Sequence, residues 1–302
     1  MQIGLFDPAP SSKEERRLTM ETTAFLSKSH KIGFLSLIFM MIGLATPTAF
    51  ALDPMGPPVA GMDAGQMQVG VEYSKSTMDL DLSDGTWTEL LDGVFSAAGD
   101  AIPFKLKNFE AHRAYANIGF GPTDRLEAFV RVGGTEAEFG DSIWLAQETF
   151  ESSTDFAIGG GLKATFYDDG ALKVGGLVQA SWSEYNGTLT GPTLPAADHV
   201  TIDLTEIQAA VGASYTWAER FSIYGGPFFH FVSGDLDDTF SEVDGITGGL
   251  LTSKYSWEID EDSAFGGYFG AQLELTENCA FSVEYQFTGA ADAVAMSLLC
   301  RN

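Results

Sequence analysis

Between Gln66 and Leu299 the chain repeats one pattern: segments of about ten residues in which apolar and polar side chains alternate with period two, joined in pairs by tight turns. From Asp155 to Tyr167, for example, Phe156, Ile158, Leu162, Ala164 and Phe166 share one side. Such alternation makes a strand with a single apolar face, and no stretch in this region is apolar for long enough to form a membrane helix. Repeated along a chain, it is the pattern of a transmembrane β-barrel, whose outer face meets lipid while its lumen stays polar.

What precedes the pattern sets the compartment. Lys28, His30 and Lys31 form a basic n-region, Ile32 to Leu44 an uncharged apolar core, and Ala49-Phe50-Ala51 a small-x-small cleavage box. Residues 1–51 are therefore expected to be a Sec-type signal peptide, with Leu52 the first mature residue and Met20 a second candidate start. The Pro-, Gly- and Met-rich lead, residues 52–65, reads as a flexible periplasmic segment, and residues 66–302 as the barrel.

Loss of residues 1–51 removes five of the 16 basic and four of the 42 acidic residues and leaves a formal charge of about −27. Such a surface repels phosphate backbones, so no nucleic-acid partner is expected. The carboxylates gather between the alternating segments, as at Asp235 to Asp238, Glu242 to Asp244 and Glu258 to Asp262. None has the spacing of a calcium loop, and they read as solvated loop tips.

Ten strands are predicted, at about 66–76, 107–120, 125–138, 155–167, 171–185, 205–216, 220–232, 263–275, 280–287 and 292–299, with eight or twelve as alternative counts. Short turns such as Gly121 to Asp124, Asp168 to Gly170 and Thr276 to Asn278 alternate with long connections at 78–104, 139–154, 186–199 and 233–262. Both ends of the chain lie on the short-turn side, which is hence periplasmic in an all-β, antiparallel, up-and-down barrel. Tyr73, Trp182, Tyr185, Phe229, Phe231 and Phe265 fall near strand ends, as interfacial girdle residues do. In the first long connection Trp87, Leu90, Leu91, Val94 and Phe95 recur at helical spacing behind Ser83 and Asp84, which predicts a short amphipathic helix capping the barrel mouth.

The hairpins Arg113 to Gly133 (RAYANIGFGPTDRLEAFVRVG) and Gly267 to Phe287 (GYFGAQLELTENCAFSVEYQF) resemble those of small bacterial outer-membrane β-barrel proteins of the OmpA-barrel and opacity-protein type. The resemblance covers nearly all of the mature chain and rests on pattern. It implies the bacterial outer membrane as location, with membrane lipid, lipopolysaccharide and the barrel assembly machinery as partners and an extracellular ligand reached through the long loops. One departure is the ending Leu298-Leu-Cys-Arg-Asn302, where such barrels carry a terminal aromatic residue.

Inward positions carry Glu72, Arg113, Glu127, Arg131, Lys163, Lys173, Glu274 and Glu284. Charges in a narrow lumen must pair, so these eight are expected to form an ion network that plugs and braces the barrel. The function expected is structural or surface-interacting, with a small-solute porin as the alternative. An omptin-like protease is the remaining reading: the resemblance would use Asp79 and Asp81 against His230, but position 228 is Phe where that family has Asp. No catalytic residue, cofactor or metal is expected, since no Ser/His/Asp set, phosphate loop or zinc spacing occurs, and Gly159 to Gly161 reads as barrel packing.

Cys279 and Cys300 are the only two cysteines. A two-residue turn at Gly289-Ala290 sets Phe281 against Leu298, Val283 against Met296 and Tyr285 against Val294, matching every outward apolar residue with another. The same register sets Cys279 against Cys300, and in an oxidising compartment that pair is expected to be a disulfide.

Overall fold

The computed structural model describes residues 52–140, 149–191, 198–217, 220–261 and 265–302; the predicted signal peptide lies outside them. Thirteen strands run in chain order: β1 (Met67–Leu91), β2 (Val94–Asp100), β3 (Phe104–Thr123), β4 (Leu126–Phe139), β5 (Thr149–Ser152), β6 (Asp155–Asp168), β7 (Leu172–Thr190), β8 (Asp198–Trp217), β9 (Phe221–Val243), β10 (Leu250–Glu261), β11 (Phe265–Glu274), β12 (Cys279–Phe287) and β13 (Ala291–Arg301). All pairings are antiparallel. Among the described residues β1, β3, β4, β6, β7, β8, β9, β11, β12 and β13 pair in that cyclic order, and β13 returns to β1 through Gln68 to Met78. These are the ten predicted strands, closed into an up-and-down barrel.

The long connections are where the barrel departs from expectation. Instead of loops, strands continue past the lipid belt: β1 reaches Leu91, β9 reaches Val243, and β10 pairs with both. At the short-turn end β11, β12 and β13 stand between β9 and β1, whereas beyond Met78 β10 alone bridges them. The wall therefore loses two strands and becomes a narrower extension.

The predicted helix at 83–95 is a hairpin. Asp92 and Gly93 both have positive φ, 51° and 77°, the requirement of a type I′ turn, which Asp-Gly meets at low cost, and Leu91 pairs with Val94 across it. The strong Asp-Gly signal and pairing to β10 outweigh a helical periodicity of barely two turns.

Side-chain polarity inverts between the two halves. In the lower barrel Val69, Val71, Ile118, Val130, Ile158, Val178, Ile207, Val211, Phe229 and Phe231 are exposed on the outside. Above them the apolar side chains turn inward: Met78, Leu80, Leu82, Phe109, Val200, Ile202, Leu204, Val232, Leu236, Trp257 and Ile259 form a buried core. In β1, β8 and β9 strand parity is unbroken across the change, so the apolar residues themselves move from one face to the other. The lower half is built for lipid outside and polar matter inside, and the extension for water outside.

Cys279 and Cys300 are directly paired, with Cα atoms 4.1 Å apart, and form a disulfide at the short-turn end of β12 and β13. The predicted register holds at Phe281/Leu298, Val283/Met296 and Tyr285/Val294. With a sequence separation of 21, the bridge stabilises by about 3 kcal/mol on the loop-entropy account. Non-reduced protein alkylated on isolation is expected to carry no alkylated cysteine by mass spectrometry, and two modified thiols would refute the bridge.

Candidate functional site

The candidate site is the lumen, and its main occupant is the N-terminal lead. Residues 52–65 are not a flexible periplasmic segment: Leu52, Asp53, Met55, Val59, Ala60 and Met62 are all buried inside the barrel. The lead enters at the short-turn rim, where Gly61 N–H donates to Glu127 Oε2 at 2.7 Å and Arg301 donates to Gly61 O. Higher up, Ala60 N–H meets Thr165 Oγ1 at 3.0 Å, and the amides of Met55 and Gly56 both donate to the Glu284 carboxylate, at 2.6 and 2.7 Å. Glycines in the wall make room for it: a Cβ on Gly175 would stand 2.4 Å from Pro58 O, and one on Gly121 2.5 Å from Asp63 O. Backbone donors that would otherwise be desolvated thus find wall carboxylates and hydroxyls.

At the inner end, Asp53 joins two wall arginines. Its Oδ2 accepts from Arg131 Nη2 at 2.8 Å and its Oδ1 from Arg113 Nη1 at 3.3 Å, while Arg131 Nη1 also donates to Pro54 O at 3.0 Å and lies 3.7 Å from Glu72 Oε2. Arg113 donates to Tyr185 Oη at 2.9 and 3.1 Å and pairs with Glu206, whose other oxygen is 3.2 Å from His230 Nε2. The Asp53 carbonyl takes the side-chain amides of Gln286 and Gln179. Arg113, Arg131 and His230 are at most 1 % exposed. Charges this deep persist only when paired and hydrogen-bonded, and here the chain's own N-terminal segment supplies a bridging anion.

Of the eight predicted lumen residues, Glu72, Arg113, Glu127, Arg131, Lys163 and Glu284 are buried inside the barrel. The other two are not. Lys173 pairs with Asp168 at 3.0 Å in the β6–β7 turn, where the Gly170 N–H and then the Lys173 ammonium hold the Asp168 carboxyl below its ordinary value. Glu274 pairs with Arg301 at 2.8 Å on the rim. Lys173 is the second residue of β7 and Glu274 the last of β11, so both sit at strand ends, beyond the enclosed section. Tyr185, predicted for a girdle, points inward and is fully buried against Arg113. Asp53, Glu206, Gln179, Gln208 and Gln286 complete the network without having been singled out.

The carboxylates of the omptin comparison do not meet His230. Asp79 and Asp81 alternate with the buried Met78, Leu80 and Leu82 and so face outward, where Asp79 Oδ1 accepts from Asn108 N–H at 3.1 Å and Asp81 pairs with Lys105 at 3.2 Å. The barrel wall stands between them and the buried imidazole.

On the outside of the extension, Glu184, Asp203, Asp235 and Glu258 lie directly opposite one another across β7, β8, β9 and β10. Partial burial, then Glu184, Asp235 and Asp237, hold the Asp203 carboxyl above its ordinary value. A carboxyl raised in the folded state stabilises only while protonated, and that contribution is lost as pH rises through its folded value. Asp203→Asn is therefore expected to stabilise the barrel at pH 7 by roughly 0.2–1 kcal/mol, the cost of a facing like-charge pair, and to change nothing at acid pH. Urea unfolding at both pH values measures this, and equal effects at the two would contradict it.

A closed antiparallel ring with an apolar belt outside and charge inside is a transmembrane β-barrel. No protein-family model and no curated protein sequence matches the chain. Among solved structures it is similar to the translocator domain of the autotransporter NalP from Neisseria meningitidis (10% identity, 80% of this chain and 89% of that one, TM-score 0.39), to the toluene transporter TbuX of Ralstonia pickettii (11% identity, 82% and 92%, TM-score 0.36) and to the outer-membrane protease OmpT of Escherichia coli (10% identity, 78% and 94%, TM-score 0.39).

Proposed function

We propose that this protein is a closed bacterial outer-membrane barrel with a structural and surface-interacting role, neither a pore nor an enzyme. The observation that carries the proposal is the filling of the lumen. Across the lipid belt the N-terminal segment occupies it, bound through Asp53, Met55, Gly56, Ala60 and Gly61, and in the extension an apolar core of side chains replaces it. A path for ions needs connected polar, hydrated space, and the apolar core interrupts that. The belt from Val69 to Tyr73 and its equivalents meets outer-membrane lipid and lipopolysaccharide, and the extension holds its acidic rows clear of the membrane, where they favour encounters with positively charged partners.

Planar-bilayer recording of the refolded barrel tests this. The intact protein is expected to pass little or no current. Arg131→Ala removes one of the two arginine partners of Asp53 and the donor to Pro54 O, yet it leaves the apolar core of the extension in place and is expected to keep the current low. A large, stable conductance of the unaltered protein would overturn the proposal.

A further inference from the structure

One group of side chains on the outside of the barrel takes no part in closing the lumen. Just above the point where Tyr73 ends the exposed apolar face of β1, Glu110 and His112 on β3 and Glu136 and Glu138 on β4 alternate with buried residues and so face outward. Glu110 stands directly opposite Glu138, and Glu138 opposite Glu151 on β5. Like charges so placed repel, and the row attracts a cation. His112 brings a different donor to the same spot: its Nε2 is 2.9 Å from Glu110 Oε1, and one ligand atom each from Glu110, His112 and Glu138 lies within 4.8 Å of the other two. The ring is also held from behind, since its Nδ1 is 2.8 Å from Tyr73 Oη. Glu136, opposite His112, is engaged elsewhere by the Thr154 hydroxyl.

We propose that Glu110, His112 and Glu138 form a zinc-binding site on the outer face, at the edge of the lipid belt. Zinc bonds to nitrogen and oxygen at about 2.0–2.2 Å, which sets tetrahedral ligand atoms roughly 3.4 Å apart. The three side chains already span that range, and rotamer changes at two partly exposed glutamates and one histidine close the remainder. The imidazole selects the metal, because calcium and magnesium take oxygen donors while zinc takes neutral imidazole nitrogen. Zinc binds Nε2, so the proton sits on Nδ1 and is donated to Tyr73 Oη, a contact that fixes both tautomer and ring. Two carboxylates cancel the charge of the ion, and three protein ligands leave its fourth position to water. One group competes. The Lys75 ammonium is paired with Glu110 Oε1, the oxygen nearest His112, and zinc has to displace it or share the carboxylate. No zinc spacing marks the sequence, because the third ligand comes from the neighbouring strand and meets the other two only through the β3–β4 register.

The test uses the full chain, purified in detergent without an affinity tag, stripped with a chelator and titrated with zinc chloride by calorimetry. About one equivalent is expected to bind, and excess calcium is expected not to displace it. His112→Ala is expected to weaken binding at least tenfold. Tyr73→Phe, which keeps the ring and removes the hydroxyl behind His112, is expected to weaken it roughly 10-fold, as loss of an outer-shell partner does. Lys75→Met separates a metal site from a mere hydrogen-bonded network. It removes the competing ammonium and is expected to tighten zinc binding severalfold, a gain that a misfolded variant cannot produce. Failure to bind zinc, displacement by calcium, unchanged affinity in His112→Ala, or no tightening in Lys75→Met each overturns the inference. The site lies outside the wall, so its test is independent of whether the lumen conducts.

Discussion

Asp53→Ala is expected to lower barrel stability by about 3–5 kcal/mol and to let the N-terminal segment leave the lumen. Both arginines that the carboxylate joins are buried in the wall, and removing a shared anion leaves two guanidinium groups with weaker compensation: Arg131 keeps Glu72 at 3.7 Å, and Arg113 keeps Glu206 and Tyr185. Because Arg113 retains a close partner, the lower end of the range is expected. Glu127→Gln provides the contrast. It removes the charge from one hydrogen bond at the rim, to Gly61, and should cost only about 1–2 kcal/mol. Urea unfolding midpoints in vesicles give the stability, and limited proteolysis within residues 52–65 reports the released plug. Equal midpoints for Asp53→Ala and the unaltered chain would show that the segment does not bind the wall through this pair.

Much of the barrel was legible because lipid leaves a simple mark. Every membrane-facing position has to be apolar, so Val69, Ile118, Val130, Ile158 and Ile207 announce strand, face and register together, and matching those faces placed Cys279 opposite Cys300. The same parity carried more than was drawn from it: Ile207, Ala209 and Val211 facing out put Glu206 and Gln208 inward, into the network. The lead was harder to read. Proline, glycine and methionine are shared by linkers and by irregular buried segments, and the distinction lay in its charges, Asp53 and Asp63 alone among residues 52–65, and its apolar Leu52, Met55, Val59 and Met62. Nothing in that pattern says which arginines Asp53 will meet, because the contact crosses 60 residues to Arg113 and 78 to Arg131.

The inversion of polarity was visible as well. In β1 the apolar residues sit at odd positions through Tyr73 and at even positions from Met78, with no change in backbone register to β13, which is the sequence mark of the membrane's edge. An alternation that changes parity reads as a strand end when only one solvent is assumed. With two solvents it is a single strand crossing from lipid to water, and that is why extended hairpins stood where long loops were expected.

Arginine placed at three positions of β8 locates that edge and separates its two sides. Ile207→Arg puts a cation on the outer face within the lipid belt and is expected to cost about 2–4 kcal/mol if it lies near mid-bilayer, less toward the interface. Thr201 shares the outward face six residues away, beside Asp237 on β9, in a region whose outer surface is wet, so Thr201→Arg is expected to be neutral or slightly stabilising, within about 0.5 kcal/mol. Ile202→Arg tests the interior, since Ile202 is fully buried in the extension's core. An unpaired buried cation there is expected to cost more than about 4 kcal/mol, and to disrupt the extension. Unfolding in vesicles ranks the three, and heating in detergent micelles should shrink the Ile207 penalty, because micelles deform around a charge, while leaving the Ile202 penalty intact. Equal costs at Ile207 and Thr201 would mean that both face the same solvent, and the membrane boundary would then not lie between Leu204 and Ile207.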